Sequence, residues 1–149
     1  MELNYQLICL DRKKAQTTVI SLPHLHISIY DPDKTPPDLP SCNNRIARLD
    51  LSFDDISYES EFDISFTKSH AHQIYQFIKD HINSVKLIVI NCEMGVSRSS
   101  AIAAALDEIL NIKDESDFFY KLEFSPNMLV YKKIKEYYSS RINNGFQPR

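Results

Sequence analysis

The sequence predicts an α/β protein in which a central, mostly parallel sheet is flanked by helices. Short apolar runs rich in β-branched residues alternate along the chain with longer segments of helical periodicity. The run Lys86–Ile90 has the composition of a buried parallel strand, and the segment that begins at Arg98 is apolar nearly all round, as a helix buried behind a sheet would be. Strands that alternate with helices in this way favour a parallel sheet.

The first forty residues predict two strands and a surface loop. The strands cover Tyr5–Leu10 and Leu25–Tyr30, and the second of them alternates between apolar and polar residues. Asp11 is placed to cap a helical turn that begins at Arg12. The segment Asp31–Pro40 contains four prolines, so we expect it to form an extended loop over the surface.

The middle of the chain predicts a third strand and a long helix before the strand at Lys86. The third strand covers Arg45–Phe53, and Asp54 and Asp55 follow it directly. Thr67 is the expected cap of a helix that extends to about residue 83. Its buried stripe is formed by Ala71, Ile74, Tyr75, Ile78 and Ile82.

The last third of the chain predicts two further helices and one short helix. The helix behind the sheet covers Arg98–Ile112, and the short helix covers Asp114–Leu122. Ser125 is the expected cap of the last helix, with Pro126 at its first position. The residues of this helix expected to face inward are Val130, Ile134, Tyr137 and Tyr138. The polar tail from Asn143 is expected to fray.

Length and composition predict one ordinary globular domain over residues 1–149. The formal net charge of −3 gives no sign of a nucleic-acid partner. No apolar run approaches the ~20 residues that span a bilayer. The first residues also lack the basic-then-apolar order of a signal peptide. We therefore expect neither nucleic-acid binding nor a membrane span.

The cysteines favour a reducing compartment. There are three of them, Cys9, Cys42 and Cys92, and this odd number suggests no disulfide framework. Cys9 lies in an apolar stretch, which is typical of a core thiol, and Cys42 lies in a polar loop far from Cys92 in sequence. A cytoplasmic location is the expected one, because a reactive thiolate oxidises readily elsewhere.

The loop between the buried strand and the following helix is the most informative segment of the chain. It begins at Cys92, and Arg98 follows six positions later. Gly95, one of only two glycines in the chain, lies between them, where the backbone must turn tightly. A strand that ends in a tight loop and restarts as a helix directs several backbone N–H groups into one hollow, which binds anions.

The residue types in this loop point to phosphoryl transfer onto sulfur. The anion-binding hollow stabilises a thiolate at Cys92, which makes it a nucleophile near neutral pH. The guanidinium of Arg98 can hold two oxygens of a phosphate. Ser99 can hydrogen-bond the sulfur and ease its departure. The remaining phosphate oxygens would be bound by the backbone of the loop, which comprises Glu93, Met94, Gly95, Val96, Ser97 and Arg98.

At these residues the chain resembles the cysteine-dependent protein tyrosine phosphatases of the dual-specificity type, and in particular the small tyrosine-phosphatase-like proteins of bacteria. The segment Cys92–Ser99 matches their Cys-Glu-x-Gly-x-Ser-Arg-Ser motif throughout. The resemblance extends to residues 49–56, where family members end a strand with an aspartate followed by isoleucine or valine, and to Ser125-Pro126-Asn127. It covers most of residues 45–140 and implies the dual-specificity phosphatase fold and a phosphocysteine mechanism.

One position departs from the family pattern. The residue before the cysteine is usually a histidine that supports the loop and helps to set the pKa of the thiol, and here it is Asn91. Asparagine can supply hydrogen bonds but cannot titrate. The resemblance also implies that an asparagine at the position of Asn127 braces the phosphate loop, although a polar residue in the first turn of a helix is an equally good interpretation.

The general acid should be a carboxylate on a separate loop near the hollow. The upstream candidates are Asp50, Asp54, Asp55, Glu59, Glu61 and Asp63. Asp55 is preferred because it lies just past the end of a strand, at the sheet edge that carries Cys92, and because the family pattern has its aspartate there. Asp54 is the runner-up and Asp63 a distant third.

No metal or other cofactor is expected. His70 and His72 are two positions apart on a predicted helix, so their rings diverge, and His24 and His26 lie on one side of a predicted strand. Surface or core roles account for all four. Cysteine phosphatase chemistry requires no metal.

The predicted function is hydrolysis of phosphotyrosine in proteins or peptides, with phosphoserine and phosphothreonine as further candidates. A catalytically weak or inactive phosphatase fold that binds phosphorylated ligands is the main alternative. Sulfur transfer and arsenate reduction also use a thiolate in an anion loop, but arsenate reduction needs resolving cysteines. RNA 5′-triphosphate hydrolysis is less favoured in an acidic chain. An inositol phosphate substrate is disfavoured because Glu93 would repel it.

Overall fold

The computed structural model describes residues 5–110, 118–119 and 121–141. This part of the chain contains four strands and four α-helices, and the predicted α/β fold is confirmed. The elements in chain order are β1 (Gln6–Leu10), α1 (Arg12–Thr17), β2 (His24–Tyr30), β3 (Arg45–Ser52), α2 (Lys68–His81), β4 (Leu87–Asn91), α3 (Arg98–Ile109) and α4 (Met128–Arg141). None of the described helices is long and apolar enough to cross a membrane.

The described strands form one parallel sheet in the order β1-β4-β2-β3. Leu10 of β1 and Ser28 of β2 both pair with Asn91, the last residue of β4. Because all four strands run in the same direction, their carboxyl ends lie along one edge of the sheet. The segments that leave the strands, at Asp11, Asp31, residues 53–55 and Cys92, therefore start from this edge.

One face of the sheet packs on α3. Ile88, Ile90 and Cys92 belong to the same buried cluster as the helix residues 101–106, and all of these are at most 2% exposed. Small alanine side chains in α3 allow the helix to approach the sheet closely. The apolar character of α3 on all sides thus follows from its burial between the sheet and the neighbouring helix α4.

The opposite face of the sheet is also buried, and it is partly polar. Strand alternation directs His24, His26 and Ser28 of β2 and Asn91 of β4 to this face, and each is at most 3% exposed. The proline-rich segment predicted as a loop connects β2 to β3 without helix or strand. Its carbonyls at residues 37 and 40 accept hydrogen bonds from the arginine side chains of β3, at 2.7 and 2.6 Å.

The last helix begins later than predicted. Ser125 is not its cap, because α4 starts at Met128 and the side chain of Asn127 accepts hydrogen bonds from the N–H groups of Leu129 and Val130, at 3.1 and 3.3 Å. The backbone of Ser125 is used elsewhere, since its N–H donates to the carbonyl of Val96 at 3.0 Å. The helix therefore begins at a position further along the chain than this contact.

Smaller differences concern element ends and burial. The helix α2 is capped at Thr67 as predicted but ends at His81, and a 3₁₀ turn covers Ile82–Ser84. The helix α3 ends at Ile109. Of the residues of α4 predicted to face inward, Tyr138 is only half-buried. Most of the predicted short helix over residues 114–122 and the tail from residue 143 lie outside the described residues.

Candidate active site

The loop from Cys92 to Ser97 joins β4 to α3 at the carboxyl edge of the sheet. Gly95 has a φ of +71°, and a Cβ atom there would lie 2.8 Å from the backbone of both Leu10 and Asp11. Backbone atoms cannot move away as a flexible side chain can. Glycine is therefore required at this position by its φ value and by the close approach of the segment between β1 and α1.

Three carbonyls of this loop accept hydrogen bonds from the elements around it. The N–H of Arg12 donates to the carbonyl of Glu93 at 3.1 Å, and the N–H groups of Ser125 and Asn127 donate to the carbonyls of Val96 and Ser97 at 3.0 and 3.1 Å. Within the described part of the chain, the N–H groups of residues 93–98 have no protein acceptor. With its carbonyls bound from outside, the loop keeps its N–H groups for an anion, and the start of α3 adds positive potential.

Cys92 lies at the base of this loop and is 2% exposed. Its Sγ atom is 3.2 Å from Oγ of Ser99 in the first turn of α3. A hydroxyl at this distance can donate a hydrogen bond to a thiolate and so stabilise the charged sulfur. Met94 and Val96 are exposed, so their contribution to an anion site comes from their backbone.

Arg98 is fixed along one side of its guanidinium group. It is 5% exposed, and its Nη1 donates to Oδ1 of Asp31 at 2.7 Å and to the carbonyl of Phe53 at 2.9 Å. Its Nε atom is buried and has no partner among the described residues. Because buried donors are nearly always bonded, the free Nε marks a direction in which the site is built to receive an acceptor. A phosphate oxygen would satisfy it.

Asp31 is the site residue that the sequence reasoning missed. It follows β2 directly and therefore starts from the same sheet edge as Cys92. Partial burial acts to raise the pKa of Asp31, but its hydrogen bond and ion pair with Arg98, helped by Lys34, outweigh burial and leave the pKa below its ordinary value. The available signal was its position after a strand, the same argument that favoured Asp55, but the prolines after it pointed to a surface loop.

Glu93 is neutralised by a neighbouring lysine. Its Oε1 lies 2.8 Å from Nζ of Lys34, which also lies 3.5 Å from Asp31. The hydrogen bond to Glu93 raises the pKa of Lys34, which keeps the lysine charged. The argument that Glu93 would repel an inositol phosphate is therefore weakened, because the positive charge of Lys34 offsets that of the carboxylate.

The two neighbouring aspartates after β3 have different contacts. Oδ1 of Asp55 accepts hydrogen bonds from Oγ of Ser97 at 2.9 Å and from Nδ2 of Asn127 at 2.8 Å, so this exposed carboxylate contacts the end of the Cys92–Ser97 loop. Asp54 instead closes its own loop, because its Oδ2 and its N–H bond the backbone of Ile64. Asp63 is exposed on the same loop.

Asn127 connects three parts of the site. Its Oδ1 caps α4, its Nδ2 donates to Asp55 and to the carbonyl of Ile56 at 2.9 Å, and its N–H holds the carbonyl of Ser97. It is 6% exposed. One residue, through its side chain and its backbone, thus connects the loop that carries Asp55 to the loop that carries Cys92.

The histidines have structural partners. Nδ1 of His24 lies 2.7 Å from the carbonyl of Leu22, and Nε2 of His70 lies 3.1 Å from the carbonyl of Ser52. His72 bonds the hydroxyl of Tyr137, and His26 bonds Asn91. Across the described ranges, no three residues among the histidines, cysteines, aspartates and glutamates form a group that could hold a metal ion.

Cys42 lies at the opposite edge of the sheet from Cys92. Cys42 lies just before Arg45, the first residue of β3. Arg45 pairs with His24 of β2, which in turn pairs with Leu87 at the start of β4, whereas Cys92 follows the end of β4. Its Sγ bonds the carbonyl of Ile20 at 3.4 Å. In this fold Cys42 therefore cannot reach Cys92 as a resolving thiol.

Solved structures with similar folds are phosphatases or phosphatase-like proteins. Human DUSP28 superposes with a TM-score of 0.62 at 12% identity, and the match covers 93% of this chain and 95% of that chain. The human tyrosine phosphatase-like serine/threonine/tyrosine-interacting protein gives a TM-score of 0.57 at 19% identity, covering 95% and 96%. A mouse putative dual specificity phosphatase complexed with zinc tungstate gives 0.55 at 13% identity, covering 90% and 82%.

The chain therefore has the dual-specificity phosphatase fold, which confirms the resemblance seen in the sequence. No protein-family model matches the sequence. No curated protein matches it either.

Proposed function

We propose that this protein is a cysteine-dependent phosphatase that hydrolyses phosphotyrosine in proteins or peptides, with phosphoserine and phosphothreonine as further substrates. The observation that carries the proposal is the way in which the guanidinium group of Arg98 is held. Its guanidinium is buried and fixed through Nη1 by Asp31 and Phe53, while Nε has no partner among the described residues. An arginine held in this way binds phosphate without first having to be ordered.

In the first step the thiolate of Cys92 attacks phosphorus. A sulfur–phosphorus bond forms, the bond from phosphorus to the tyrosine oxygen breaks, and the leaving oxygen takes a proton from Asp55. The N–H groups of residues 93–98 and the guanidinium of Arg98 stabilise the three equatorial oxygens. Contact of Asp55 with Ser97 supports its role, because it brings the acid to the rim of the same loop.

In the second step a water molecule attacks the phosphocysteine. The carboxylate of Asp55 takes a proton from the water, the sulfur–phosphorus bond breaks, and phosphate leaves. Cys92 returns to the thiolate, which the hydroxyl of Ser99 stabilises from 3.2 Å away. The proton given up by Asp55 in the first step is thereby restored.

The first test is hydrolysis of p-nitrophenyl phosphate and of a phosphotyrosine peptide, without metal and with reductant. We expect Cys92→Ser to abolish turnover. Asp55→Ala should reduce it more strongly on the peptide than on p-nitrophenyl phosphate, whose leaving group needs little protonation. Asp63→Ala is the matched control, because this exposed carboxylate lies on the same loop. Wild-type turnover that survives Cys92→Ser would overturn the mechanism.

The alternative function is a phosphate-binding module without turnover. Asn91 stands where the resembling family has histidine, and one fold neighbour is described as a phosphatase-like interacting protein. The alternative predicts that a phosphotyrosine peptide binds with measurable affinity while no phosphate is released between pH ~5 and 8, where a tuned thiolate and acid should both work. Tungstate is a suitable competitor in either assay, because it carries the tetrahedral charge of phosphate.

A further inference from the structure

A histidine on the neighbouring strand bonds the residue directly before Cys92. Nε2 of His26 in β2 lies 2.8 Å from Oδ1 of Asn91, the last residue of β4. Both side chains are buried, with His26 3% exposed and Asn91 0% exposed. A carboxamide oxygen can only accept, so His26 must be the donor, with its proton on Nε2.

This bond is the one that orients the carboxamide of Asn91. Its Nδ2 is buried and has no partner among the described residues. The backbone of Asn91 is already paired between Leu10 of β1 and Ser28 of β2. Since the next residue is Cys92, the conformation at Asn91 sets where the loop of Cys92 leaves the sheet.

The surroundings of His26 keep it neutral. Burial lowers the pKa of His26 to about 4, and its bond to Asn91 opposes this only in part. The charged and titratable groups that face it, Arg45 and Arg48 on β3 and His24 on its own strand, all lower the pKa further. His26 is therefore a fixed neutral donor and not a pH switch in the range where a thiolate would work.

We infer that His26 is a positioning residue for Cys92, acting through its hydrogen bond to Asn91. The inference rests on the proposed function, because it concerns the nucleophile of that reaction. The family that the sequence resembles has an imidazole at position 91 itself, and here an imidazole from the neighbouring strand bonds the residue at that position. When the bond is lost, the end of β4 relaxes and the N–H groups of the loop stabilise the thiolate less well.

The test is the pH dependence of Cys92 alkylation by iodoacetamide, followed on the Cys92 peptide by mass spectrometry. This measurement needs no turnover. We expect His26→Leu to raise the midpoint by about one pH unit, which is a tenfold loss of thiolate at acidic pH. His26→Gln retains an N–H donor, so its midpoint should stay close to the wild-type value. The exchange of the two residues, His26→Asn with Asn91→His, should also keep the midpoint near its wild-type value.

Two further variants keep the test decisive if His26→Leu folds poorly. Asn91→Ala removes the acceptor from the other side and should raise the midpoint by a similar amount. His24→Gln is the matched control, because His24 is equally buried on the same strand but bonds Leu22. An unchanged midpoint in both Asn91→Ala and His26→Leu would overturn the inference. A wild-type midpoint near the ordinary ~8.5 of a thiol would instead count against the proposed function.

Discussion

Replacing Asp31 with alanine removes the carboxylate that holds Arg98 and leaves only the bond from Arg98 to the carbonyl of Phe53. A hydrogen bond to a charged group contributes about 1.5–3 kcal/mol. The side chain of Asp31 is 26% exposed, so the lower part of that range applies, about 1.5–2 kcal/mol. If this energy is lost from the positioning of Arg98 in the transition state, kcat falls roughly 10- to 30-fold.

The assay is steady-state hydrolysis of a phosphotyrosine peptide by the wild type, Asp31→Ala, Asp31→Asn and Asp33→Ala. Asparagine keeps an acceptor oxygen but loses the charge, so we expect Asp31→Asn to lower kcat by an intermediate factor of about 3 to 5. Asp33→Ala is the control, because Asp33 is an exposed residue of the same loop. Removing a negative charge near the hollow does not weaken anion binding, so KM should change less than kcat. Equal kcat values for Asp31→Ala and Asp33→Ala would refute the reasoning.

The pKa of Asp31 sets the sign of a related stability effect. Because this pKa is lower in the folded protein than the ordinary value, the ion pair with Arg98 stabilises the fold above the unfolded pKa of ~3.9. That contribution is lost as the pH falls through the folded pKa. Urea unfolding should therefore show a stability difference between wild type and Asp31→Asn that is constant from pH 5 to 7 and shrinks as the pH falls below ~4. A stability difference that grows as the pH falls would contradict the predicted direction of the effect.

The remaining predictions concern the loop and its supports. Gly95→Ala should abolish activity and lower the melting temperature in circular dichroism, because its Cβ would lie 2.8 Å from backbone atoms of Leu10 and Asp11; a fully active variant would contradict this. Asn127→Ala should cost about 0.5–2 kcal/mol in urea unfolding through the lost cap, and it should also slow peptide hydrolysis because the donor to Asp55 is lost. Ser99→Ala should slow the second step, so that rapid-quench kinetics show a burst of leaving group followed by a slower steady state, and absence of a burst would argue against its role at the sulfur.

Strand composition predicted β4 well because it is a nearly contiguous apolar run, whereas β2 was predicted from its alternation of apolar and polar residues. The sequence placed β4 and α3 within one to three residues of their observed ends for this reason. The predicted start of α4 was wrong, because Ser125 and Pro126 are favourable residues for a helix start when only the local sequence is considered. What overrode them is a tertiary contact, the bond from the N–H of Ser125 to Val96, which no local pattern reveals.

The partners around the loop were harder to predict than the loop itself. The residues of the loop share one short motif, but Asp31, Lys34 and His26 are more than fifty positions away in sequence and reach it only across the sheet. Strand alternation places His26 on a buried face, yet it cannot say that Asn91 is the acceptor until the strand order is known. A parallel order that puts β4 between β1 and β2 is what brings these side chains together.

The same strand order explains why the loop can be rigid with so few glycines. A loop that must present its N–H groups inward needs its carbonyls satisfied from outside, and here Arg12 of α1 and, just before α4, Ser125 and Asn127 each supply a donor. Arg98 is supported in a similar way, since Asp31 and Phe53 bind one of its nitrogens and Nε is left without a partner among the described residues. Because the supports come from separate elements, loss of one should loosen the site without unfolding the sheet. Variants of Asp31, His26 and Asn127 are therefore expected to separate catalytic defects from global instability.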